Sequence, residues 1–458
     1  MKKILAAFLL TVGCSAHSPE GPSVRSGTTV ARALAVPPVL ALCEDGQGGA
    51  VLAWTAGPGR DAGLRLRRLS RDGRPVWGED LRLSESAGVS SLGLIRYPGG
   101  LYAVWTEPSP EGATLLVRPV SSEGRPLWEK ALRLAGLRSK DATVVPGGSG
   151  PDGSIVLAWG DLPDPRRPSV GAARILPDGT PAWTRTLGGT PGSDRYSFPA
   201  MVADGAGGAF LAYRQEGETD RGVVLQRYSA EGEALWPGGH DIRDAGGYKS
   251  APELVTDGKG GTVVLWEDGR TGALDVYAQK VSSTGAVLWN PDGVPAARGD
   301  GNQWDPSAAP DGRGGLYLSF VDDGRGSAWR LALQRLDPSG KTAFGPGGVR
   351  ATSSSEPPRG PMLVSDSGGS SVVCWREARY GGFRMPCQSP DASGALRWGA
   401  EGALADESPS YEEGPQAVSD GAGGVVLLWR TLPPGKGWEV RAARLDSSGR
   451  PSWRGEGR

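Results

Sequence analysis

The fold of the chain is decided by the stretch Asp257-Gly258-Lys259-Gly260-Gly261-Thr262-Val263-Val264-Leu265-Trp266. An Asp side chain can bond its own backbone and glycine adopts positive φ without penalty, so the first five residues predict a tight turn. The apolar, β-branched residues that follow predict a strand. Around them, 252–256 predicts a short strand before the turn, 275–282 predicts a third strand, and 286–289 predicts the beginning of a fourth.

This unit recurs along the chain. Two series of aromatic residues mark it at a spacing of about 54 residues, and together they hold thirteen of the 16 tryptophans. Chance placement does not produce such a pattern, so repetition is established before any fold is assumed. The first series is Trp54, Trp105, Trp159, Tyr213, Trp266, Phe320, Trp375 and Trp429, and the second is Trp77, Trp128, Trp183, Trp236, Trp289, Phe344, Trp398 and Trp453.

Four antiparallel strands per unit make one blade of a β-propeller. Eight copies therefore predict an all-β, eight-bladed β-propeller. The segment 293–298 follows Trp289 in this unit, and 27–32, which precedes the first unit, resembles it. We expect an N-terminal strand to complete the last blade and close the ring, which protects the sheet edges; the alternative is an open solenoid with separate caps.

The expected propeller spans 28–458. Its tryptophans are expected to pack between blades. The repeats are predicted near 36–86, 87–138, 139–192, 193–246, 247–300, 301–355, 356–409 and 410–458.

The pattern D-G-x-G-G-x-x-x-x-W-x-D-x-R, followed by a Gln-Arg or Gln-Lys strand and by G-x-x-x-W, resembles the repeats of exported bacterial β-propeller lipoproteins. Most of those proteins have no assigned activity. The segment 445–453 is similar to the tryptophan motif of quinoprotein-like eight-bladed propellers, except that Asp446 lies one residue closer to the motif glycine. Quinoprotein dehydrogenases carry a vicinal cysteine pair over the cofactor, and this sequence has no adjacent cysteines. The resemblance therefore implies a scaffold without a cofactor, like the propeller lipoprotein of the outer-membrane assembly machinery.

The N-terminal residues 1–13 have the charged start, short apolar run and small final residue of a signal peptide. The run Leu10-Thr11-Val12-Gly13-Cys14 resembles the lipobox of bacterial lipoproteins, which implies lipidation of Cys14. Residues 14–27 are then a lipid-anchored tether. This reading predicts an exported protein of the cell envelope, an outer-membrane lipoprotein that touches the membrane through its lipid alone; the alternative is ordinary cleavage near Ala16.

Composition excludes several classes of function. A formal net charge of -1 gives no long-range field that favours nucleic acid. The chain has two histidines, too few for a multi-histidine metal site, and we expect no metal. Each turn Asp precedes glycines without the further oxygen ligands of a calcium loop, so a structural turn is favoured over calcium binding. A monomer is expected.

The candidate site lies on the face that carries the loops between the second and third strands and the crossovers between blades, because variable loops on a rigid scaffold carry binding. The aromatic residues of this face do not repeat with the blade, which favours a role in ligand contact. Its Asp and Arg residues do repeat, which favours the alternative that they form structural ion pairs between neighbouring blades. The candidate ligand-binding residues are Trp304, Trp329, Tyr380, Asp268, Arg270, Asp322, Asp323, Arg325, Glu377 and Arg379.

This face suggests two functions. The first is non-enzymatic binding of protein or glycan, and no catalytic residue is assigned. The alternative is an exported carbohydrate-active enzyme that uses carboxylates on the propeller face.

Cysteine placement adds one structural hypothesis. Cys374 and Cys387 lie in consecutive strands of the seventh unit, where an oxidising compartment allows a disulfide if their register matches. Cys43 has no partner left and is expected to be a small buried residue.

Overall fold

The computed structural model describes residues 27–57, 62–162, 168–188, 195–216, 222–242, 251–324, 329–379, 382–408 and 411–453. In these ranges the chain forms 32 β-strands, which make eight four-stranded antiparallel sheets. Each sheet is one blade, and the ring of eight confirms the predicted β-propeller.

Blades 1 to 4 are built from consecutive strands. Blade 1 contains β2 (Leu40–Glu44), β3 (Ala50–Ala56), β4 (Gly63–Leu69) and β5 (Leu81–Ser84). Blade 2 contains β6 (Leu92–Tyr97), β7 (Gly100–Ser109), β8 (Gly112–Ser121) and β9 (Leu132–Leu137). Blade 3 contains β10 (Thr143–Ser149), β11 (Ile155–Asp161), β12 (Ser169–Ile175) and β13 (Pro181–Gly188). Blade 4 contains β14 (Arg195–Ala203), β15 (Ala209–Glu216), β16 (Gly222–Tyr228) and β17 (His240–Ile242).

Blades 5 to 7 follow the same order, and blade 8 takes its outer strand from the N-terminal side. Blade 5 contains β18 (Glu253–Thr256), β19 (Thr262–Asp268), β20 (Asp275–Val281) and β21 (Val294–Ala297). Blade 6 contains β22 (Gln303–Pro310), β23 (Leu316–Asp322), β24 (Arg330–Leu336) and β25 (Val349–Arg350). Blade 7 contains β26 (Pro358–Ser365), β27 (Ser371–Arg379), β28 (Gly382–Gln388) and β29 (Ala403–Ser408). Blade 8 contains β30 (Tyr411–Ser419), β31 (Val425–Leu432), β32 (Trp438–Leu445) and β1 (Thr28–Leu34).

The N-terminal strand closes the ring, as predicted. Strand β1 pairs antiparallel with β32, where Thr28 lies opposite Ala442 and Leu34 opposite Trp438. The indole of Trp453 then donates from Nε1 to the carbonyl of Arg71 in blade 1, at 3.0 Å. These contacts join the two ends of the chain, so the open solenoid is excluded.

The predicted fourth strand was misplaced. Val287 makes only an isolated bridge to Val281, and the outer strand of blade 5 begins at Val294. The reason is Gln279: its amide accepts from the backbone N–H of Trp289, at 3.2 Å, and donates to the carbonyl of Asn290, at 2.5 Å. A side chain therefore replaces the backbone ladder over 289–290, and pairing resumes only after the next turn.

Two kinds of contact hold neighbouring blades together. Tryptophans of the second series pack into the next blade, as Trp289 does against Leu316 and Leu318. The indole Nε1 of Trp289 also donates to the carbonyl of Pro338 in blade 6, at 3.1 Å. The periodic tryptophans are thus core residues between blades, as predicted.

The two faces of the ring carry different connections. We call the turn face the side with the turns between the first and second strands and the turns that follow each third strand. The loop face is the opposite side, with the loops between second and third strands and the crossovers. On the turn face, Asp311 Oδ1 accepts from the backbone N–H groups of Arg313 and Gly315, and Oδ2 accepts from Arg335.

Within the described ranges no group of three or more His, Cys, Asp or Glu is placed to hold a metal ion. The same ranges contain no helix with the length and apolar character needed to cross a membrane. Residues 1–26, with the predicted signal peptide, Cys14 and most of the predicted tether, lie outside the described residues.

Candidate functional site

The carboxylate of Asp268 is buried at the end of β19 on the loop face. Its Oδ1 accepts from the backbone N–H of Arg270 at 2.9 Å, and its Oδ2 accepts from Arg270 Nη2 at 2.6 Å and from Trp266 Nε1 at 2.9 Å. Burial would raise the pKa of Asp268, but the bonds from Arg270 and Trp266 outweigh it and lower the pKa. Every oxygen of this carboxylate is therefore used inside blade 5.

Asp322 occupies the matching position in blade 6 and is also buried. Arg330 donates to its Oδ2 from Nε at 2.9 Å and from Nη2 at 2.6 Å, while the backbone N–H of Gly324 donates to Oδ1 at 2.9 Å. The sequence predicted Arg325 as its partner, but Arg325 lies outside the described residues. Asp322 thus ties the start of β24 to the end of β23.

Glu377 does the same in blade 7. Its Oε1 accepts from Trp375 Nε1 at 2.8 Å, and its Oε2 accepts from Arg384 Nε at 2.6 Å and from Ser354 Oγ at 3.1 Å. The sequence predicted that the ion pair of Asp268 with Arg270 joins neighbouring blades. That prediction was wrong, because both residues belong to blade 5, while the predicted pairing of Asp322 or Asp323 with Arg325 involves a residue outside the described ranges.

Asp323 organises the backbone of the loop face. It accepts from Asn302 through both oxygens, from the backbone N–H at 2.9 Å and from Nδ2 at 2.7 Å. The amide oxygen of Asn302 in turn accepts from the backbone N–H of Leu274 in blade 5, at 2.9 Å. This network links the loop of blade 5, the crossover and the loop of blade 6.

Beside this network lie two tryptophans that do not repeat with the blade. Trp304 and Trp329 pack edge to face, with ring centroids 5.2 Å apart and an interplanar angle of 85°. Both are partly exposed. The structure thus brings together the two predicted aromatic residues of blade 6, whereas the predicted Tyr380 lies outside the described residues and only the backbone of Arg379, at the end of β27, is described.

A feature that the sequence analysis missed is a bulge in the inner strands of four blades. The pairing register shifts there, and one residue just before a proline takes a left-handed conformation. These residues are Phe198 (φ 53°), Asp305 (φ 54°), Gly360 (φ 54°) and Gly414 (φ 56°). The sequence signal is an X-Pro pair six residues before the turn Asp, as in Asp305-Pro306 before Asp311.

A left-handed conformation at a residue with a side chain stores about 1–3 kcal/mol of strain and points to a functional constraint. Asp305 is held there by two bonds: its backbone N–H donates to Glu267 Oε1 at 2.8 Å, and its Oδ2 accepts from the backbone N–H of Gly360 at 3.2 Å. Phe198 is 56% exposed in the same conformation. The bulges therefore carry a further aromatic and a further acid on the loop-face side of the inner strands.

Glu253 lies on the inner strand β18, between blades 5 and 6. Its Oε1 accepts from the backbone N–H of Ala308 at 2.9 Å, and its Oε2 is buried without a hydrogen-bond partner in the described part of the chain. Burial, opposed by the bond from Ala308 and reinforced by the charge of Asp305, raises the pKa of Glu253 to about 7. Burial also raises the pKa of Asp305, against the Gly360 N–H and the charge of Arg376.

Blade 7 contains the cysteine pair. Cys374 and Cys387 lie directly opposite each other in β27 and β28, with Cα atoms 4.0 Å apart, and form a disulfide. Cys43 is a free, buried thiol, and burial raises its pKa.

Comparison with known proteins adds little to this geometry. No protein-family model matches the chain, and a search of curated proteins finds no match. Among solved structures, Sqt1 from Chaetomium thermophilum aligns with 15% identity and a TM-score of 0.45 over 91% of this chain and 98% of its own. The WD40 domain of SCAP from fission yeast aligns with 9% identity and a TM-score of 0.40 over 91% and 94%.

A prolyl endopeptidase aligns with 17% identity and a TM-score of 0.44. The alignment covers 87% of this chain, which spans only 54% of the length of that enzyme. Similarities of this size carry no argument about activity, so function has to be argued from the loop face itself.

Proposed function

We propose that the protein is an exported, lipid-anchored propeller of the cell envelope that binds protein or glycan through its loop face, without catalysis. The lipobox-like start and the resemblance to exported propeller lipoproteins support the location. The loop face supports the binding role, because its predicted carboxylates brace the blades and leave the aromatic residues as the groups available for contact.

The observation that carries the proposal is the partly exposed pair Trp304 and Trp329. The core aromatic residues of this protein repeat in every blade, and these two tryptophans do not. Edge-to-face packing fixes both rings before any ligand arrives, which lowers the entropy cost of binding. Fixed indole surfaces beside the polar Asn302–Asp323 network suit stacking on a sugar ring or anchoring of a protein loop.

The proposal is tested by crosslinking pull-down from intact membranes, with identification of both proteins and glycans, and by a glycan array on the purified propeller. Trp304→Ala and Trp329→Ala are compared with wild type and with Leu288→Ala. Leu288 is a matched control because its apolar side chain is also exposed but lies near the turn face, just after the turn that follows the third strand of blade 5. We expect the tryptophan variants to lose capture at least tenfold and Leu288→Ala to retain it. Equal capture by all variants would exclude this face.

The anchor is tested separately with Cys14→Ser. Loss of the variant from the membrane fraction, with unchanged glycan or protein binding in solution, is the expected result. A variant that stays in the membrane fraction would contradict lipidation at Cys14.

A second candidate function is hydrolysis of glycans, which the raised pKa values of Glu253 and Asp305 favour. A glycosidase needs one protonated carboxylic acid near neutral pH and one ionised carboxylate, and Glu253 has a pKa of about 7. Release of reducing sugar from polysaccharides, abolished in Glu253→Gln and retained in Leu288→Ala, would establish it. Absence of release across polysaccharides leaves binding as the function.

A further inference from the structure

The repeat of the turn face fails in two blades: blade 2 has neither the turn Asp nor the cation, and blade 7 has the Asp without the cation. In six blades the turn Asp faces a cation on the third strand of its own blade, at a fixed position. These pairs are Arg68 with Asp45, Arg174 with Asp152, Arg227 with Asp204, Lys280 with Asp257, Arg335 with Asp311, and Arg444 with Asp420. Each neutralises a carboxylate that would otherwise lie partly or wholly buried without a counter-charge.

Blade 7 keeps the Asp but lacks the cation. In blades 4, 5 and 6 the residue before the cation is a glutamine whose amide oxygen accepts from the backbone N–H of the cationic residue. In blade 7, Gln388 makes the same contact with Ser389. The alignment by contacts therefore places Ser389 where blade 6 has Arg335. Asp366, the turn Asp of blade 7, has no cationic partner on that strand.

The consequences are visible in the hydrogen bonds. Asp366 Oδ1 accepts from the backbone N–H of Ser370 at 2.9 Å, and no contact within the described residues uses its Oδ2. The hydroxyls of Ser371 and Ser389 are buried and also lack partners in the described part of the chain. Within the described residues, blade 7 thus has a turn Asp without an ion pair, and Ser389, at the position of the cation in six other blades, has an unsatisfied hydroxyl group.

Asp366 lines a cavity of about 500 Å³ on the turn face, where blades 7, 8, 1 and 2 meet. Two other carboxylates there are already paired: Asp420 with Arg444, and Glu44 with Arg96 at 3.2 Å. Arg71 also lines the cavity. Its carbonyl closes the ring, and its guanidinium forms no ion pair with any described residue.

The cavity therefore has one open acid and one open base, which belong to blades 7 and 1. We propose that it binds a small zwitterion, a free amino acid or a short peptide with both termini free. The ammonium group of the ligand pairs with Asp366, which lacks the internal cation of six other blades, and the carboxylate of the ligand pairs with the guanidinium of Arg71. The volume suits a ligand of this size, and charge-assisted hydrogen bonds at both ends give it orientation.

Isothermal titration calorimetry on the purified propeller tests this with glycylglycine as the probe. N-acetylglycylglycine lacks the ammonium group, and glycylglycinamide lacks the carboxylate. We expect saturable binding of glycylglycine and at least tenfold weaker binding of each blocked form. Asp366→Asn and Arg71→Gln should each weaken glycylglycine binding at least tenfold, which is the loss expected for one charged hydrogen bond.

The sharpest variant is Ser389→Arg, which introduces the internal cation found in six other blades. It should abolish binding while leaving the thermal midpoint unchanged or higher, and Ser389→Ala is the matched control that keeps binding. If Ser389→Arg does not fold, Asp366→Asn decides alone. No saturable binding at millimolar glycylglycine, or equal binding of all three peptides, would overturn the proposal, and neither outcome bears on the loop-face function.

Discussion

The turn face and the loop face both carry arginine–carboxylate pairs, but these pairs have different structural roles. On the turn face, Arg227 binds Asp204 of its own blade and also donates to the carbonyl of Ser283 in the next blade, at 2.6 Å. On the loop face, Asp268, Asp322 and Glu377 each take their arginine from within the blade. The difference teaches that a turn-face cation joins neighbouring blades as well as strands of its own blade, whereas these three loop-face ion pairs each brace a single blade.

The largest effect should come from breaking the ring closure. Trp453→Ala removes a side chain that is 1% exposed and packs between blades 8 and 1, together with its bond to Arg71. Loss of a buried tryptophan costs about 3–5 kcal/mol through lost burial and the cavity left behind. Guanidinium denaturation followed by tryptophan fluorescence measures this. A loss under about 1 kcal/mol would mean that pairing of β1 with β32 closes the ring without help.

The next effect compares the two kinds of arginine. Arg335→Met leaves the fully buried Asp311 without its cation and should cost about 3 kcal/mol. Arg330→Met on the loop face should cost about 1 kcal/mol, because the Arg330 side chain is 39% exposed and Asp322 keeps its bonds from Gln303 and Gly324. Equal losses in urea denaturation would erase the distinction between the faces.

The sequence predicts the turn face better than the loop face for a physical reason. Repetition exposes contacts that every blade makes, which is why the ring, the tryptophan packing and the closing strand could be predicted from spacing alone. The matched ends 27–32 and 293–298 were sufficient for the closure. By contrast, the partner of Asp322 is Arg330, at a position that has no constant spacing from the acid in other blades.

Two further errors have the same origin in side-chain detail. The segment 286–289, which was predicted to begin the fourth strand, does run antiparallel to the third strand. The Gln279 side chain, however, takes the place of backbone pairing at 289–290. The strained Asp305 is marked in the sequence only by the proline that follows it, and an X-Pro pair by itself fits many turns. Local pattern predicts where the backbone turns and does not predict which side chain fills the gap.

A smaller effect is expected from the inner strand that joins the two faces. The folded state raises the pKa of Glu253 from 4.5 to about 7, so it binds a proton that the unfolded chain releases. The free energy of unfolding should therefore be highest below about pH 4.5 with respect to this group, and fall by about 2 kcal/mol as the pH rises through 7. Glu253→Gln should remove this fall in denaturation measured from pH 5 to 8. An unchanged pH dependence in the variant would assign the effect to other groups.

The smallest effect on stability should come from the loop face itself. Trp329 contributes an edge-to-face contact with Trp304 and is partly exposed, so Trp329→Ala should cost about 1 kcal/mol, well below the loss in Trp453→Ala. If Trp304 and Trp329 serve binding, Trp329→Ala should lose ligand capture at least tenfold. This variant should then reduce ligand capture more than stability, whereas Trp453→Ala should reduce stability more than ligand capture. If Trp329→Ala instead lowered the free energy of unfolding by several kcal/mol, Trp304 and Trp329 would be packing residues. The proposal that the turn face holds the ring while the loop face binds would then fail, because it depends most on these two residues.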